Sequence, residues 1–131
     1  METKRSILII TDGTSKTKGM AEKIAGELSA HQVTIKDAQQ FEGTDLLPAD
    51  LVFIGCEKPD PASFVYLQEM LQHINLAGRS CGLFSSGASE AIDYLSQLVQ
   101  DSEMILGSSP LYLKDLGNIN SWVMELVNKA S

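Results

Sequence analysis

A chain of 131 residues that is 44% hydrophobic and 21% charged carries enough apolar material for one buried core and too little charge for a disordered segment. Its formal net charge of -7 at pH 7 argues against nucleic acid or anionic membrane as a partner, because their phosphates repel such a surface. Two cysteines, Cys56 and Cys81, and two histidines, His31 and His73, are too few and too scattered for a readable metal-ligand cluster.

After Ser6, the run Ile7, Leu8, Ile9 and Ile10 has the look of a parallel strand buried on both faces. It is too short for the apolar segment of a secretion leader, and no stretch reaches the ~20 residues of a membrane span, so a cytoplasmic protein is expected. Residues 11–18 are polar and include Gly13. From Gly19 a helical period takes over: Met20, Ile24 and Leu28 share a face with Ala21 and Ala25. Val33, Thr34 and Ile35 alternate as a shorter strand nearer an edge. Between Asp37 and Asp50 a brief helix over 41–47 can end at Pro48. Leu51, Val52, Phe53, Ile54 and Gly55 form the second strongly buried strand, and Pro59 and Pro61 mark the loop after it. Phe64, Leu67, Leu71 and Ile74 lie on one helical face. Residues 80–84 are another strand, Ser85, Ser86 and Gly87 the turn after it, and Ile92, Leu95 and Val99 mark the next helix. Residues 104–106 and 111–113 read as two halves of one last strand, interrupted by 107–110. Ile119, Val123, Leu126 and Val127 give the closing helix, with Trp122 as a packing residue.

This alternation predicts one α/β domain over residues 1–131, a five-stranded parallel sheet doubly wound into a three-layer sandwich. Ligands of such folds sit beyond the carboxyl ends of the strands, where residues 11–18, 56–63 and 85–88 form loops. The first loop opens a helix, so it has unpaired N–H groups and a partial positive charge, with the hydroxyls of Thr14, Ser15 and Thr17 at hand. That is the chemistry of phosphate capture; an ordinary N-cap is the other reading of such a stretch. The two thiols read as reduced core or strand-end groups, with a redox role for Cys56 beside Lys58 as the alternative.

Asp12, Gly13, Thr14, Ser15, Lys16 and Thr17 resemble the phosphate-binding loop of flavodoxins, Ser/Thr-x-Thr-Gly-x-Thr, set between the first strand and the first helix. Residues 20–25 resemble the family's first-helix run. Element order and length resemble a short-chain flavodoxin over nearly the whole chain. The resemblance implies the strand order 2-1-3-4-5, an FMN cofactor and low-potential electron transfer to redox partner proteins with a basic docking surface. It places the phosphate among Thr11, Asp12, Gly13, Thr14, Ser15, Lys16 and Thr17. It places the flavin ring between the loop of Cys56, Glu57 and Lys58 and the loop of Ser85, Ser86 and Gly87, and it names no catalytic residue.

Four residue choices depart from the family pattern. Asp12 stands where the family has Ser or Thr; a carboxylate repels a phosphate dianion and can instead cap the helix amides itself. Ser15 replaces a glycine, at a strain cost if that position needs φ > 0. Neither later loop contains an aromatic to stack on a ring, and Phe64, Tyr66 and Tyr94 fall at helical spacings that favour packing. Pro59 and Pro61 stiffen the loop whose peptide turns over in the family. Two further functions suit the same fold: an interaction or regulatory module that has lost its flavin, and a small flavin-dependent reductase.

Overall fold

The computed structural model describes residues 5–87, 89–107 and 109–129. Uninterrupted apolar runs are stable as strands only in the middle of a sheet covered on both sides. The chain puts them there: β1 (Ser6–Thr11), β3 (Leu51–Cys56) and β4 (Ser80–Ser85) are buried almost throughout. β2 (Gln32–Asp37), more polar and half exposed, is one edge. The other edge is shared by two short strands, β5 (Ile105–Leu106) beside Ser80 and Cys81, and β6 (Leu111–Tyr112) beside Phe84 and Ser85. Every pairing is parallel, and the order is β2-β1-β3-β4-β5, as the resemblance implied. The fifth position is thus filled in two pieces. At the break, a side chain on Gly107 would come within 2.6 Å of Leu126, and Pro110 has no N–H to offer a ladder.

The helices are α1 (Ser15–Gly26), α2 (Gly43–Leu46), α3 (Val65–His73), α4 (Ser89–Gln100) and α5 (Ile119–Lys129). On one face Met20 and Ile24 of α1 and Val123 and Leu126 of α5 pack with Ile7, Ile9, Phe53 and Phe84. On the other, Leu67 and Leu71 of α3 and Leu95 and Val99 of α4 pack with Leu8, Ile10, Val52 and Ile54. Two cores around one sheet make the three layers. Among the described residues no helix is long and apolar enough to cross a membrane.

Helix α1 begins at Ser15, four residues before the apolar period starts. Its first turn lies at the sheet's carboxyl edge, where its inward side chain is the buried hydroxyl of Thr17 and no apolar residue is called for. Ser15 is already helical, and the turn's left-handed residue is Gly13, at φ 88°. The strain expected at Ser15 is therefore absent.

Candidate functional site

β1 delivers Thr11 to the sheet edge, and Gly13 turns the chain into α1. Thr11 Oγ1 donates to Asp37 Oδ1 at 3.0 Å, and Asp37 in turn faces Lys18 Nζ at 3.5 Å, which ties the loop to the end of β2. Asp12 then caps its own loop: Oδ1 accepts from the Thr14 amide at 3.0 Å and from Thr14 Oγ1 at 2.8 Å. Its other oxygen, Oδ2, accepts from the Glu57 amide at 2.8 Å, and its main-chain carbonyl accepts from Ser63 Oγ at 3.1 Å. One residue thus joins the first loop to the loop after β3. Thr14, Thr17 and Ser86 hydroxyls continue the cluster, with oxygens 2.8 and 2.9 Å apart. The amides of Ser15, Lys16 and Thr17 donate to no protein group among the described residues. They are the free donors of a twelve-residue helix, where its partial positive charge is concentrated.

The structure brings the three predicted loops together. An open cleft of about 540 Å³ runs along Asp12, Thr14, Gln39, Glu57 and Ser63. Lys58 is exposed on its rim, and Asp60 holds φ 49° with its carboxylate accepting from Gln68 Nε2 at 2.9 Å. The loop after β4 has only Ser86, Gly87 and Ala88 before α4 begins, and Ala88 lies outside the described residues. Gly87 lies against the Glu57 carbonyl so closely that a Cβ there would overlap it. At that level the loop after β3 and the loop after β4 touch.

Phe64, Tyr66 and Tyr94 all pack. Phe64 is fully buried, Tyr66 meets Phe41, and Tyr94 meets Phe64 and accepts from Gln68 Nε2 at 2.6 Å. Tyr112, which sequence reasoning missed, lines a cleft beside the loop after β4. With Gly87, Ser89, Leu113 and Lys114 it borders a hollow of about 670 Å³, and Lys114 Nζ stands 5.8 Å from its ring centre. Its position at the carboxyl end of the last strand was the signal that could have found it.

Cys56 is buried with its side chain in the α3–α4 core, as is Cys81, and both are free thiols. Burial pushes each thiol up from 9.0 to about 12, and the Asp12 charge adds to the rise at Cys56. At pH 8 a thiol of that pKa is thiolate in only on the order of one part in ten thousand, so Cys56 is no redox nucleophile. Native protein is expected to react with a thiol-specific disulfide reagent far more slowly than protein in urea; rapid native labelling of Cys56 would overturn this. Because the unfolded thiols ionise near 9.0, the unfolded state releases these protons first. The burial contribution is intact below pH 9 and is lost as pH rises toward 12.

The fold has solved counterparts. A short-chain flavodoxin associated with a non-canonical PDU bacterial microcompartment aligns over 98% of this chain and 100% of its own, with a TM-score of 0.84 at 18% identity. Oxidised flavodoxin 2 from Bacillus cereus aligns over 95% and 99%, with a TM-score of 0.83 at 21% identity. Fusobacterium nucleatum flavodoxin bound to flavin mononucleotide aligns over 95% and 98%, with a TM-score of 0.76 at 14% identity. The chain therefore has the flavodoxin-like fold. No protein-family model and no curated protein sequence matches it.

Proposed function

We propose that this chain is a cytoplasmic flavin-binding electron carrier, with FMN as the cofactor its fold suggests. The observation that carries the reading is the convergence of the free Ser15, Lys16 and Thr17 amides with the Thr14, Thr17 and Ser86 hydroxyls beyond the strand ends. Flavin mononucleotide bound to the Fusobacterium flavodoxin supports it. The tail end of the site fits a nucleotide better than the ring end does. Three free amides at the start of α1 suit an anion, whereas the contact between Glu57 and Gly87 leaves no slot at that level. Tyr112, on the far side of Gly87, offers the flat surface a ring needs.

A bound flavin supplies the redox chemistry. The chain's own residues hold it and set its surroundings. Glu57 and Asp60 put negative charge beside one cleft and Lys114 puts positive charge beside Tyr112 in the other, and the nearer of these charges tunes the potential of a bound ring. The net charge of -7 suits transient docking to a basic patch on a redox partner.

Titrating the purified chain with FMN tests the reading. Quenching of flavin fluorescence at micromolar protein is expected; unchanged free fluorescence would end it. Steady NAD(P)H oxidation with FMN present would mark a reductase in place of a carrier. One observation favours a second function, a flavin-free interaction module: the Asp12 carboxylate already holds the Thr14 and Glu57 amides. That function predicts no flavin binding in the same titration.

A further inference from the structure

The sheet has one long open edge. β5 and β6 close the far side with 2 residues each, whereas β2 runs 6 residues with no strand beyond it among the described residues. The Gln32 amide donates to the Arg5 carbonyl at 2.9 Å, and the Ala38 amide to the Thr11 carbonyl at 2.8 Å. Main-chain groups alternate sides along a strand. Gln32, Thr34 and Lys36 therefore turn theirs to β1, and Val33 and Ile35 turn theirs outward. The side chains of Val33 and Ile35 lie on the same face as those of their β1 partners Ile7 and Ile9, and Ile35 is 39% exposed. Such an edge is a template for a further strand unless Pro, a bulge or charge blocks it; β2 has no Pro, no bulge and a single Lys.

The order of residues along β2 is its own complement. A second copy running antiparallel must set outward main-chain groups against outward ones. With Thr34 on the two-fold axis, Val33 faces Ile35 of the second copy and Ile35 faces its Val33, each pair exchanging both main-chain bonds. Gln32 then meets Lys36, and His31 meets Asp37. His31 Nδ1 accepts from the Arg5 amide at 3.1 Å, so its N–H is on Nε2, and a carboxylate is the acceptor that N–H suits. The next allowed register in one direction sets Val33 against the Asp37 carboxylate. The next in the other sets Ile35 against His31 and leaves Lys36 and Asp37 unmatched. Charge favours the same contact: the chain carries -7, but β2 has one Lys and one Asp and is neutral. We propose that β2 is the interface of a two-fold homodimer in which the two sheets join antiparallel about Thr34. Each copy presents the same strand to the other, so assembly closes at the dimer. The inference is independent of the flavin reading.

Sedimentation velocity of the purified chain over a concentration series tests it. The expected result is monomer at about 1 μM passing to dimer by about 100 μM, with no larger species. A chain that stays monomeric to about 1 mM, or that grows past the dimer, would overturn the inference. Residue 34 reports the register, because about this axis its two copies face each other. Thr34→Lys and Thr34→Glu set like charges opposite one another, and each is expected to weaken the dimer roughly fivefold. An equal mixture of the two variants sets Lys against Glu and is expected to dimerise at least as tightly as the wild type. Circular dichroism checks that both variants are folded, and the wild-type series is decisive without them. A mixture that associates no better than either variant alone would place the contact elsewhere and overturn the inference.

Discussion

Truncating Phe53 to alanine is expected to cost about 3–5 kcal/mol of unfolding free energy, measured by urea denaturation. The ring is fully buried in the core between the sheet and the α1–α5 layer. It occupies space that Gly82 leaves open: a Cβ on Gly82 would come within 2.7 Å of it. Trp122 packs on it with ring centres 5.4 Å apart and planes tilted by 47°. Its neighbours are poorly placed to fill the hole. Gly82 has no side chain to move in, and the Trp122 indole is held by its N–H donating to the Ser109 carbonyl at 2.8 Å. A loss below about 1 kcal/mol would mean that α5 collapses onto the sheet and that this face is softer than its packing implies.

Burial on both faces made most of this architecture legible in the sequence. The middles of the three central strands are apolar because they are covered on both faces, while hydroxyl residues such as Thr11, Ser80 and Ser85 are buried at their ends. The interrupted edge strand was legible from the small and proline-bearing residues 107–110. Strand order was not: it came from the resemblance, since no local pattern says which strand lies beside which. The start of α1 was misplaced because hydrophobic periodicity reports burial by apolar groups, and Thr17 is buried as a hydroxyl. The site divides in the same way. The short-range bond from the Thr14 amide to Asp12 follows from a carboxylate two residues before it, but the helix amides that Asp12 was expected to cap stay free. Its second bond, to the Glu57 amide 45 residues away, and the contact of Thr17 with Ser86 depend on the fold bringing strand ends together.

Gly87→Ala is expected to destabilise the protein by about 1–3 kcal/mol and to weaken flavin binding together with stability. The argument is steric alone. Gly87 does not adopt positive φ, so alanine suits its backbone, but the added methyl would overlap the Glu57 carbonyl. Glu57 cannot retreat freely, because its amide is held by Asp12 Oδ2 at 2.8 Å. The first loop, the loop after β3 and the loop after β4 are therefore mechanically coupled through one carboxylate. Removing that hold should let Glu57 yield. In a double-mutant cycle, Asp12→Thr is expected to relieve part of the Gly87→Ala cost, with a coupling energy on the order of 1 kcal/mol. Strict additivity would mean that the loops relax independently and that Asp12 restrains only its own turn.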